Sequence, residues 1–325
     1  VVTMEMNCSL LENGLDFILD AAQKLSELND SDLDDKDSQR LIKYALLHLS
    51  AGIELVFKYR LFKEHWTYVF ADMNKANKQG LSSGDFSSVD SKTSIDRLKS
   101  LCDIAFDEQE KTDLQRLRNR RNRAEHFSLN EPLKAVEISM HKSISIITKF
   151  LVNHCNTDEF LEEETSLFED IKGQLREMEQ HHNDAKAIAE RQLSDMNMTG
   201  LTITCPACGE KFLIRDDKAT CVFCGYTASG TEAAQDYVEN VLGIDSFSTI
   251  KDGGEIPVYE CPQCGNDALV FNNDTGEVLC FSCDYEGKTE DFSFCDWCGK
   301  PYECDGDDEI GMCPDCIAYR MEKDD

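Results

Sequence analysis

Residues Gln39–Phe62 read QRLIKYALLHLSAGIELVFKYRLF. Apolar side chains fall at Leu41, Ile42, Ala45, Leu46, Leu49, Ile53, Val56 and Phe57, mostly three and four apart. That period belongs to an α-helix and not to a strand, whose buried positions alternate. The stripe is too wide for a helix with one wet face, so this helix belongs in the middle of a bundle. Glu54 interrupts the stripe, either as a polar member of a site or as a side chain pointing out between apolar neighbours.

Outward from it, Leu10, Leu11, Leu15, Ile18, Leu19, Ala22, Leu25 and Leu28 give a first helix one apolar face. The acidic stretch Asn29 to Asp37 reads as a solvated loop between the two. Downstream, Gly80, Ser82, Ser83 and Gly84 mark residues 74–91 as a loop by composition. A short helix is expected near Ser94 to Cys102, and another from about Asp107 that carries Leu114 and Leu117. Pro132 suits the first turn of a last helix, whose apolar positions include Leu133, Val136, Ile144, Ile147 and Phe150. Residues 1–155 are therefore expected to fold as a bundle of about five helices.

Near its end this region carries RNRRNRAEHF, Arg118 to Phe127. Arg116, Arg118, Arg120, Arg121 and Arg123 lead to His126, with Asn119 and Asn122 between them. A guanidinium grips a phosphate oxygen through parallel donors, and an imidazole exchanges a proton near neutral pH. Together they suggest chemistry on a phosphodiester. A plain basic helix end, favoured by the helix dipole, is the competing explanation.

With the bundle pattern, Arg121-Asn122-Arg123-Ala124-Glu125-His126 resembles the RNxxxH signature of the HEPN family, and the stretch Gly52 to Val56 is also similar. The resemblance covers roughly residues 7–155. It implies a metal-independent endoribonuclease that acts as a homodimer with two facing motifs, in a family whose members are often toxins or antiviral effectors. RNA brings its own nucleophile, the 2′-hydroxyl, so the protein supplies proton transfer and charge stabilisation. His126 is the expected acid or base, Arg121 holds the scissile phosphate, and Asn122, one helical turn earlier, orients the ring. Arg118, Arg120 and Arg123 are candidate substrate contacts, with Arg120 the alternative to Arg121. Many family members do not cleave RNA, so a protein-interaction scaffold is the second expectation.

Residues 156–200 read as a helical connector, with Phe168, Ile171, Leu175 and Met178 at alternating threes and fours. That spacing suits a short coiled coil in a dimer or a helix lying on the bundle. The adjacent His181 and His182 read as a surface accident.

Residues 201–325 hold the most specific pattern. Cys205-x-x-Cys208 precedes Cys221-x-x-Cys224, Cys261-x-x-Cys264 precedes Cys280-x-x-Cys283, and Cys295-x-x-Cys298 precedes Cys313-x-x-Cys316. The intervening 12, 15 and 14 residues resemble zinc-ribbon spacing. Four thiolates complete a tetrahedral Zn²⁺ and leave no open position, so the expected role of zinc is structural. Redox pairs are the competing reading, but no thioredoxin-like strand–helix pattern surrounds them. The expected modules are ribbons over 201–230, 256–290 and 291–325, with a linker over 231–255. Within that linker Ala234, Tyr237, Val238, Val241 and Leu242 form an amphipathic helix, placed to brace the ribbons against each other or against the bundle. Cys8, Cys102 and Cys155 read as ordinary buried residues, and Cys304 as a competing ligand for the third zinc. The fold class is thus mainly α, with small β-rich modules following the bundle.

The net charge of -30 is uneven. Residues 1–155 hold 21 Lys/Arg against 24 Asp/Glu, and the remainder 12 against 39. The acidic half should repel RNA and suits a protein partner better. Sixteen cysteines, twelve of them in regular pairs, fit a reducing compartment, here expected to be the cytoplasm. No apolar run approaches the roughly 20 residues of a membrane span, and Val1-Val2-Thr3-Met4 does not resemble a secretory leader.

Overall fold

The computed structural model describes residues 8–28, 35–198, 202–216, 218–244, 246–251, 253–254, 256–304 and 311–321. The opening Val1 to Met4 and most of the acidic stretch after Asn29 lie outside them. The chain forms two compact units, residues 1–188 and 189–325.

The first unit is helical. Helix α1 (Leu10–Glu27) starts at a capping box in which Ser9 and Glu12 satisfy each other's backbone amides. It packs its apolar face on α2 (Asp35–Glu64), which runs longer than its stripe predicts. Gly14 and Gly52 make the crossing close: a Cβ on Gly52 would sit 2.7 Å from both the Gly14 carbonyl oxygen and Ile18 Cγ1. As expected, α2 is the central element, with Leu46, Leu49, Val56, Phe57 and Leu61 fully buried.

The expected loop over 74–91 is only partly a loop. Asn77 caps a short helix α3 (Lys78–Ser83) through the Gly80 amide at 2.7 Å, and Gly84 ends it with φ +74°. Its glycine and serines had disguised that turn. Ahead of it, the Arg97 guanidinium in α4 (Ser91–Cys102) ties down the chain by donating to the Tyr68, Phe70 and Ala71 carbonyls at 2.6, 2.5 and 2.9 Å.

Helix α5 (Glu108–His126) opens on the Asp107–Glu110 capping box, and α6 (Leu133–His154) follows Pro132, which occupies the cap rather than the first turn. Helix α7 (Glu162–Asp195) then crosses the boundary between the units. Its Phe168, Ile171 and Leu175 belong to the bundle core, and Gln174 accepts from Ser26 Oγ at 2.6 Å. The first half of the connector is therefore a layer of the bundle. Its apolar stripe is already covered, which leaves no seam for the coiled coil considered from sequence.

The second unit contains three small antiparallel sheets. The first joins β1 (Leu213–Ile214), β2 (Ala219–Cys221) and β3 (Thr227–Ala228). Helices α8 (Gly230–Asn240) and α9 (Ser246–Lys251) follow. A four-stranded meander contains β4 (Tyr259–Glu260), β5 (Asp267–Asn272), β6 (Glu277–Cys280) and β7 (Glu286–Lys288). A hairpin of β8 (Phe292–Phe294) and β9 (Pro301–Glu303) precedes α10 (Pro314–Met321). The mainly helical chain with small β modules matches the class read from sequence. Among the described residues no helix is long and apolar enough to cross a membrane.

Candidate active site and metal centres

Helix periodicity divides the arginine run. Asp113, Arg116, Leu117 and Arg120 recur at three- and four-residue steps and form the buried face of α5. Arg116 Nη1 lies 2.6 Å from Asp113 Oδ1. Arg120 is 1% exposed and donates from Nε and Nη2 to Glu131 Oε2 at 2.7 and 2.5 Å. Arg123 reaches the other oxygen of the same carboxylate. Burial works to raise the Glu131 pKa, but Arg120 and Arg123 outweigh it and hold the carboxyl below its ordinary range. These contacts correct the sequence expectation for Arg120. Its guanidinium is buried, ties α5 to the chain ahead of α6 and is not among the residues lining the cleft. Arg123 remains partly exposed but shares the same anion.

The neighbouring face of α5 opens into a cleft of about 350 Å³. Arg118, Arg121 and Asn122 line it from α5, Ser50 and Glu54 from α2, and Lys92 from the start of α4. Glu54 belongs to this cleft and is engaged by Lys58 at 2.5 Å. Asp90 caps α4 through the Thr93 amide at 2.7 Å; this bond, with Arg118 adding to it, lowers its pKa. Ser50 Oγ is buried there with no hydrogen-bond partner among the described residues. Three cations and a helix N-terminus surround a space whose two carboxylates are already engaged, which suits an anion.

His126 ends α5 with its side chain 70% exposed. Five residues at about 100° each carry it roughly 140° around the helix from Arg121, so the two do not share a face. Glu125 stands between them. Its Oε2 is 3.0 Å from Arg121 Nε and 3.7 Å from His126 Nε2. Asn122, expected to orient the imidazole, instead accepts from Arg121 Nη1 at 3.1 Å. Glu125 is the residue that sequence reading missed, although its place four after Arg121 and one before His126 was visible. The next side chain, Phe127, is 90% exposed.

In the second unit the cysteines gather as three groups of four, whose sulfurs lie within 4.8 Å of one another. Measured pairs are 3.8 Å for Cys205–Cys224, 3.9 Å for Cys208–Cys221, 3.8 Å for Cys261–Cys283, 3.7 Å for Cys264–Cys280 and 3.8 Å for Cys298–Cys313. A tetrahedron of sulfurs about 2.3 Å from Zn²⁺ has an edge of about 3.8 Å, whereas a disulfide needs about 2.05 Å. The groups fit zinc, and twelve cysteines read from spacing are the ones brought together.

Local geometry shows how. In four of the turns a glycine follows the second cysteine at φ +72°, +76°, +71° and +71° (Gly209, Gly225, Gly265, Gly299). Each donates its amide to the first cysteine's carbonyl, at 2.9, 3.0, 2.9 and 2.8 Å. This folds both thiols of a pair toward one point, in a conformation that a side chain at the glycine would strain. The third group ends differently. Cys313 and Cys316 flank the first turn of α10, where Pro314 starts the helix. Cys304 is not a ligand of that centre; its Sγ meets Ser293 Oγ at 3.1 Å. Of the other cysteines Cys155 is buried, Cys102 half-buried and Cys8 exposed.

The linker helix does brace the ribbons. Helix α8 buries Ala233, Ala234, Tyr237 and Val238, and Tyr237 packs on Phe281 with ring centres 5.0 Å apart. Arg215, beside β1, donates to the carbonyls of Cys280 and Tyr285 at 3.3 and 3.4 Å, joining the first ribbon to a metal turn of the second. Tyr259, Phe271, Phe292 and Phe294 join the second ribbon to the third.

No family model matches the chain, and no solved structure matches it. A segment of 37 residues is 49% identical to transcription initiation factor IIB of Pyrobaculum islandicum, and to the same factor of Pyrobaculum neutrophilum. The match covers 11% of this chain and falls in a zinc-ribbon region. The chain spans about one tenth of the length of these curated relatives, at 10% of each. It is thus similar to them over a ribbon-sized segment, and the three cysteine centres stand as zinc-binding modules.

Proposed function

We propose that the helical unit is an RNA-cleaving enzyme of the HEPN type and that the ribbons recognise a protein partner or regulate the site. The observation that carries this reading is the end of α5, where Arg121 faces an anion-suited cleft and His126 stands in solvent just beyond it. Cleavage through the 2′-hydroxyl asks for a proton acceptor, a proton donor and a cation on the phosphate. His126 supplies the proton transfer and Arg121 the charge. Arg118 and Lys92 extend the phosphate path into the cleft. Because Arg121 and His126 diverge on one helix, the reaction uses two copies, each giving one residue to the other's partner group. The bare ring of Phe127 beside His126 supports an interface there. The products are a 2′,3′-cyclic phosphate and a 5′-hydroxyl.

The ribbons are acidic, and a closed four-cysteine zinc has no catalytic position. Their part is to hold a shape and bind a partner. The second reading, a scaffold without cleavage, is favoured by the Glu125 contact that already occupies Arg121 at 3.0 Å. Purified protein incubated with mixed cellular RNA in EDTA separates the two. The enzyme reading expects cyclic-phosphate ends from wild type, and none from His126→Ala or Arg121→Ala with their helical circular dichroism intact. No cleavage by wild type favours the scaffold, and full activity in either variant overturns the mechanism.

A further inference from the structure

Three of the chain's seven histidines meet in one place far from the arginine cleft in sequence. Glu137 and His141 lie four apart on α6, and Met178, His181 and His182 recur at three and four on α7. Both spacings put their side chains on one helix face. The helices bring those faces together: Glu137, His141, Met178, His181 and His182 line a single small pocket, with Leu25 of α1 among the apolar walls. The rings of His141 and His182 have centres 5.1 Å apart and are tilted by 36°. The pocket holds about 20 Å³, room for one ion or one water.

We propose that this α6–α7 pocket is a fourth metal site, for a late divalent transition-metal ion held by His141, His181, His182 and Glu137. Imidazoles with one carboxylate suit ions of the zinc, copper and nickel type, and Met178 adds a soft thioether at the edge. The site differs in kind from the thiolate centres, since it contains no cysteine. The helices that carry it are held in place independently, because Phe168, Ile171 and Leu175 anchor α7 in the bundle core. Unlike the cysteine groups, the donors are not among those already within 4.8 Å of one another. The ion therefore draws the α7 rings inward, which is open to them because His181 is exposed and His182 half-buried. Bound there, it clamps α7 to α6. The proposal does not depend on RNA cleavage.

Zinc itself is the probe, and the full-length chain provides its own internal count. Protein with its three cysteine centres loaded is equilibrated against buffered micromolar Zn²⁺, and bound metal is measured per chain. Wild type is expected to carry four ions and His181→Ala/His182→Ala three. His181 is exposed and His182 half-buried, so neither change empties the bundle core. Added Zn²⁺ should also raise the melting temperature of wild type but not of the variant. Wild type that stops at three overturns the site, as does a variant that binds as many ions as wild type.

Discussion

Replacing Arg120 by methionine should harm stability, and replacing Arg121 the same way should not. Arg120 is 1% exposed and bonded to Glu131, itself 12% exposed at the side chain. Methionine keeps most of the packed volume and removes the charge. Glu131 is then left buried with Arg123 as its remaining ion-pair partner. If Glu131 escapes by protonation at neutral pH, starting from an ordinary value of about 4.3, the cost is at most about 3.7 kcal/mol. Breaking one side of a buried pair costs about 3–5 kcal/mol in general, and Arg123 keeps this case near the lower end, about 3 kcal/mol. For a unit of this size that lowers the melting temperature by about 6–12 °C. Arg121 and Glu125 are 37% and 41% exposed, so their pair is worth about 0.5 kcal/mol. Urea unfolding followed by far-UV circular dichroism measures both. The acid limb gives a second check. The Glu131 pKa is depressed in the folded state, so its stabilisation is present above its unfolded value and lost as pH falls through the folded one. The gap between wild type and Arg120→Met should accordingly narrow in acid. Equal destabilisation by the two substitutions, or a gap that widens in acid, refutes the division of the arginines into a buried and a cleft-facing set.

Elemental analysis should give three zinc ions per chain as purified, and chelator should take the first centre last, because Cys264 and Cys298 are exposed and Cys283 and Cys316 half-buried while all four ligands of the first centre are buried. Release of the first centre ahead of the third, monitored with Cys205→Ser and Cys298→Ser variants, contradicts that order. Gly52→Ala should destabilise the helical unit by about 1–3 kcal/mol through overpacking against α1, since its Cβ falls 2.7 Å from backbone and from Ile18. An unchanged urea midpoint means that the two helices do not cross as closely as described.

The parts that were legible from sequence are those with a local period. The apolar stripe of α2 and the pairs of cysteines each repeat at a spacing set by one helix or one turn, so neighbours in sequence were enough to read them. The fate of Arg120 was not local, whereas Arg116 meets Asp113 three residues before it on the same helix. Arg116 and Arg120 look as soluble as Arg118 and Arg121 until Asp113 and Glu131 are placed beside them. Glu131 lies beyond the end of α5, and nothing in composition assigns it to Arg120. The same holds for His182, which gains a meaning only when His141 faces it from another helix. Gly52 was hidden for the opposite reason. A glycine inside a helix reads as a weakness, while here it admits the α1 backbone.

The division of α5 also explains why one helix carries so many arginines. A helix that presents cations to an anionic ligand must be held still, or the cations swing with it. Arg120 does that from the buried face through Glu131 beyond the helix end, at 2.5 Å, while the Arg116–Asp113 pair at 2.6 Å stays within α5. The next face over can then hold Arg118 and Arg121 toward the cleft without relying on their own flexible stems. Glu125 completes the arrangement. It pairs with Arg121 at 3.0 Å and stands 3.7 Å from His126. An anion that takes Arg121 as a bidentate partner has to displace this carboxylate first.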